Sequence, residues 1–131
     1  MPLLLDIATF LISKNVAEGD GKDIFRDFVP EDPDNIIVMM EYSGDPASPH
    51  DSALHRSVQI LARNKDADAA RQKAVSIFEA FRQNQTEDGR VDLTSTRWGQ
   101  IYLRQPPFML KRDNNQRTFY AFNMGITTTI E

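Results

Sequence analysis

The chain of 131 residues contains no cysteine. That absence excludes a disulfide framework, thiol catalysis and cysteine-ligated zinc or iron–sulfur centres together, and it fits a reducing compartment. Imidazoles are scarce too, His50 and His55 being the only two. A basic excess is missing: the formal net charge is -4, whereas domains that grip a phosphate backbone carry a clear surplus of Lys and Arg. Sequence-specific nucleic-acid binding is therefore not expected. Long apolar runs are also lacking. Leu3 to Ile12 is the nearest to one, but it includes Asp6, has neither the charged flank nor the small-residue cleavage site of a signal peptide, and reaches about half of the ~20 residues that cross a bilayer. A buried helix is expected there, and no membrane association.

What is present describes an ordinary globular chain, 40% hydrophobic, 9% aromatic and 26% charged, rich enough in apolar residues to build a core without metal or disulfide. Its length suits one domain spanning 1–131, and neither an internal repeat nor a second domain is visible. Pro2 suits a helix start, and Leu4, Ile7, Ala8 and Leu11 recur at helical spacing over 2–14. Asp6, Thr9 and Ser13 form the only polar stripe of that helix, so it should bury more than one side, within the chain or against another subunit. After Gly19-Asp20-Gly21, residues 23–29 read as a short strand. Pro30-Glu31-Asp32-Pro33-Asp34-Asn35 reads as a turn, since its prolines cannot join a ladder.

Ile36 to Met40 is apolar without alternation, the pattern of a central strand covered on both faces. In 54–63, Val58, Ile60 and Ala62 alternate with Ser57, Gln59 and Arg63, which predicts one buried and one wetter face. Ala67, Ala70, Ala74, Ile77, Phe78 and Phe81 share one helical face over 67–82, with Asp66 as N-cap. Asp88-Gly89 is a turn, Val91 and Leu93 mark a short edge segment, and 100–104, 108–112 and 117–130 close the domain as strands, the last pair turning at Asp113–Gln116. In the final strand Tyr120, Phe122, Met124, Ile126 and Ile130 share a core face, leaving Asn123, Gly125, Thr127 and Thr129 on the other. The fold class expected is α+β: a mostly antiparallel mixed sheet with two amphipathic helices on one face, in the order α-β-β-β-α-β-β-β.

Catalytic patterns do not assemble from these residues. His50 and His55, near Asp45 and Asp51, fit no standard metal spacing. Asp32, Asp34 and Asn35 superficially suggest a calcium loop, but Ile37 and Ser43 occupy the places of its required Gly and Glu. Gly19 to Lys22 lacks the spacing of a phosphate loop. No carboxylate pair stands out, and no serine lies in a nucleophile elbow. The chain is thus read as a non-enzyme without cofactor or metal, acting through its surfaces. Two candidates stand out. The Ser43–Ala53 loop carries Asp45, His50 and Asp51 and is longer than most connections in a compact domain. The Lys111, Arg112, Asp113 and Arg117 hairpin is cationic on an acidic protein, which suits docking to an acidic neighbour.

Several segments taken together resemble a family. They are the N-terminal helix, Pro30-Glu31-Asp32-Pro33-Asp34-Asn35 leading into an apolar strand ending Glu41-Tyr42, and the tail elements Pro107-Phe108, Leu110, Arg112-Asp113 and Arg117 before an aromatic strand through Asn123. In order and spacing around the 67–82 helix they resemble the minor capsid, or tail terminator, proteins of long-tailed bacteriophages. The resemblance implies an α+β fold and a homo-oligomeric ring, commonly of six copies, on the head-proximal end of the tail tube. Such a ring stops tube growth and presents the tail to the head connector, in a virion part assembled in the host cytoplasm. The tail tube protein and a head connector protein are then the implied partners. The alternatives are a head–tail connector or adaptor of the phage neck, or a small metal-dependent enzyme using His50 and His55.

Overall fold

A computed structural model describes residues 3–42, 53–95 and 97–129. The expected contact loop, with Asp45, His50 and Asp51, lies outside the described residues. The elements run α1 (Leu3–Ser13), β1 (Ile24–Arg26), β2 (Ile36–Tyr42), β3 (Ala53–Asn64), α2 (Ala67–Gln83), β4 (Arg90–Asp92), β5 (Trp98–Leu103), β6 (Phe108–Arg112) and β7 (Thr118–Thr129). The class is α+β, with both helices and the strand order as expected. The edge segment anticipated at Val91 is the additional short strand β4, lying at the end of the sheet.

One seven-stranded sheet runs β1-β2-β3-β7-β5-β4, with β6 also paired to β7. Only β1 and β2 are parallel; the other pairings are antiparallel. Strand β7 organises the sheet. Its full length pairs with β3 along one side. Its other side is shared, with β5 opposite Met124–Thr127 and β6 opposite Thr118–Ala121. Strands β5 and β6 thus run in the same direction along β7, interrupted at Arg104–Pro107, where two successive prolines cannot donate to a ladder.

Both helices pack on one face. Leu3, Ile7, Phe10 and Leu11 of α1 and Ile77 and Phe81 of α2 share a core with Ile37, Met39, Val58, Ile60, Phe122, Met124 and Ile126. Phe10 stacks on Phe81 with ring centroids 5.1 Å apart, and Phe78 meets Phe122 edge-on at 5.4 Å. The alternate residues of the same strands, Ile36, Val38, Leu61, Phe119 and Ala121, form a second cluster with Phe25. This division explains why β2 shows no alternation: both its faces are covered, and it is paired on both edges. The Asp66 side chain caps α2, accepting from the Asp68 N–H at 3.0 Å. At the first turn of α2 Ala67 is exposed; Ala70, Ala74, Ile77 and Phe81 carry the burial.

Three expectations are corrected. Asp6 does not lie on a solvent stripe: it is 1% exposed and pairs at 2.5 Å with Arg97, which precedes β5. The α1 helix accordingly buries nearly all round within this one chain. Strand β1 stops at Arg26 rather than Val29, because Asp27 takes a positive φ of 70° that breaks the extended run. On β3, Ser57 and Arg63 are each 2% exposed, so the wetter face is covered at these positions. Among the described residues no helix is long and apolar enough to cross a membrane.

Candidate assembly surfaces

Arg63 and Phe119 are partners across β3 and β7, with Arg117 immediately preceding β7. Both arginines face the 30–34 loop, whose prolines supply carbonyls but no N–H groups, leaving oxygens in need of donors. Arg63 meets that need. It donates to the carbonyls of Pro30 at 2.7 Å, Glu31 at 3.2 Å, Pro33 at 2.6 Å and Asp34 at 3.1 Å, using its fork of five donors as an ammonium could not. Its guanidinium lies 5.8 Å from the centre of the Phe119 ring. Burial, then the adjacent Arg117 charge, lower the Arg63 pKa from its ordinary value.

Arg117 donates to the Glu31 carbonyl at 2.6 Å and to the Asp113 carboxylate at 2.8 Å, and lies 3.5 Å from carboxylate oxygens of Glu31 and Asp34. Burial alone would lower its pKa, but the hydrogen bond and charge of Asp113 outweigh that and raise it. Asp113 is the counterpart. Burial acts to raise its pKa, yet the backbone N–H and guanidinium of Arg117 and the N–H of Asn115 hold it below the usual aspartate range. At the tip of the hairpin, Asn115 Nδ2 reaches Glu31 Oε1 at 2.7 Å. The loop is thereby clamped over one end of the face opposite the helices.

This geometry divides the hairpin residues singled out in the sequence. Arg117 is 4% exposed and committed within the chain, so it offers no charge to a neighbour. Asp113 is partly buried in the same clamp. Lys111 and Arg112 are exposed: Lys111 lies 4.9 Å over the Phe119 ring and Arg112 reaches Gln116 Oε1 at 3.5 Å. Sequence reasoning missed Arg63, although a proline-rich loop with unserved carbonyls was a signal that buried donors must lie nearby.

Farther along the same face is a polar strip lined by His55, Ser57, Tyr102, Arg104, Gly125 and Thr127. His55 Nδ1 is 2.8 Å from Thr127 Oγ1, and Arg104 donates to Ser57 Oγ at 3.0 Å. A Cβ at Gly125 would fall 3.0 Å from the Arg104 guanidinium, so the bare glycine leaves room for that group to lie against the sheet. Ser57 meets an arginine, which has no lone pair with which to take a proton, so that contact does not activate the hydroxyl as a nucleophile. No group of three or more His, Cys, Asp or Glu among the described residues is arranged to hold a metal ion.

These features define a class: an α+β module whose elaborated parts are sheet edges and a tethered loop. The sequence matches the family of bacteriophage tail terminator proteins over residues 10–130, and the chain belongs to that family. No curated protein matches it. The family is one of structural virion proteins of the phage tail and not of enzymes.

Proposed function

We propose that the protein forms a homo-oligomeric ring that caps the head-proximal end of the tail tube, ends its polymerisation and presents the tail to the head connector. The family match across residues 10–130 carries this reading. Two structural features support it. The sheet ends laterally in the short strands β1, β4 and β6; among the described residues β4 and β6 are each paired on one side, and the outer side of β1 carries a single bridge, from Ile24 to Asp20. Such open edges are natural sites for another subunit. The net charge of -4 also suits a passage through which DNA slides without adhering.

Particle location tests the assignment. Immunogold labelling is expected on isolated tails at the end that meets the head, with isolated heads bare. Label retained on heads and absent from tails would assign the protein to the connector instead.

A further inference from the structure

Two of the sheet's edge strands, β1 and β6, differ in a complementary way. Across β1-β2-β3-β7-β6 the edges stand four strand spacings apart, roughly 19 Å. On the β1 side, residues 18–27 hold four carboxylates against two cations. A cleft there is lined by Asp20, Gly21, Phe25, Arg26, Asp27 and Phe28. Phe28 is 58% exposed and meets Phe25 edge-on at 5.7 Å, with Val29 exposed beside it. Arg26 neutralises Asp20 at 2.9 Å, whereas Asp27 has no cationic partner among the described residues.

The β6 side inverts this pattern. Residues 108–112 hold two cations, Lys111 and Arg112, and no carboxylate. Met109 is 59% exposed and Leu110 39%, and neither Lys111 nor Arg112 has a carboxylate partner among the described residues. The pairing of β6 with β7 is irregular between Met109 and Lys111, which makes a continuous added strand a poor fit on this edge. Side-chain docking is the better one.

We infer that Met109–Arg112 of one copy docks on the Phe25–Val29 edge of a second copy, making a head-to-tail contact between two different patches of the same chain. The Met109 and Leu110 side chains cover Phe28 and Val29, with the thioether against the Phe25–Phe28 aromatic pair. Lys111 and Arg112 face Asp27 and the acidic 18–27 segment, where opposite charge fixes the register of docking. A contact between unlike patches repeats from copy to copy, and closes into a ring when its rotation divides a full turn. The inference rests on the ring reading for that closure alone; the contact itself rests on the two edges.

The absence of native cysteine makes the contact directly testable by cross-linking the full-length protein. Phe28→Cys and Leu110→Cys replace exposed side chains, and unfolding curves verify that both variants fold. With a short bis-maleimide, the mixed variants are expected to give a 28–110 dimer and each alone none, while the double variant gives a ladder ending at the ring. Adding Lys111→Glu and Arg112→Glu is expected to abolish the link, and Asp27→Lys on the opposing copy to restore it. Links joining 28 to 28 or 110 to 110, or no 28–110 link in a protein that forms rings, would overturn the inference and leave the ring reading standing. A 28–110 link in a protein that never engages tail tubes would uphold the contact and remove the terminator reading; neither link nor oligomer would remove both.

Discussion

Arg63→Ala is expected to destabilise the protein by about 3–5 kcal/mol, a large share of the ~5–15 kcal/mol that holds a domain of this size folded. The substitution removes four hydrogen bonds from one 2%-exposed guanidinium and leaves the carbonyls of Pro30, Glu31, Pro33 and Asp34 without that donor. It also removes one of the two cations over Phe119, in the cluster that covers the face opposite the helices. Arg63→Lys should recover only part of the loss, because a single ammonium cannot span four oxygens held around a planar fork. Urea unfolding of the three proteins checks the order. Equal stability of Arg63→Ala and the parent would contradict the clamp.

Acid acts on the neighbouring half of that clamp. The folded pKa of Asp113 is depressed, so its contribution is complete above the ordinary aspartate range and is lost as pH falls through the folded value. Stability should therefore decline below about pH 4, and less steeply in Asp113→Asn, which has already lost the titrating group.

Asp6→Asn is expected to cost about 2–4 kcal/mol. The carboxylate is 1% exposed on α1, and replacing it with a neutral amide removes the Asp6 charge from beside the Arg97 guanidinium. The Arg97 side chain is 12% exposed and retains some access to water, which keeps the cost below that of a wholly enclosed pair. A double-mutant cycle with Asp6→Leu and Arg97→Met separates the pair from the packing. The double variant should be more stable than Asp6→Leu alone, with a coupling of about 1 kcal/mol or more. Strict additivity would show that the pair does not hold α1 to the start of β5.

What was legible in the sequence was whatever repeats. The 67–82 helix announced itself through an apolar face at helical spacing and an aspartate cap, and β7 through alternation that assigns Phe122, Met124 and Ile126 to the helix-covered side. What escaped was the placement of single charges. Asp6, Arg63 and Arg117 read as surface residues because charge normally stays in water. Each is buried because a partner distant in sequence compensates it: Arg97 for Asp6, the 30–34 carbonyls for Arg63, and Asp113 with Glu31 for Arg117. Periodicity carries no information about such pairings. The same limit applied to the cationic hairpin, where Lys111, Arg112 and Arg117 look alike in sequence and only the first two reach solvent.

Negative-stain microscopy of tail-tube protein polymerising with and without this protein tests whether it caps the tube. The added protein is expected to bind one end of each tube as a ring and to shorten the length distribution as its proportion rises. Tubes of unchanged length with bare ends, alongside a protein that stays monomeric by light scattering, would contradict it.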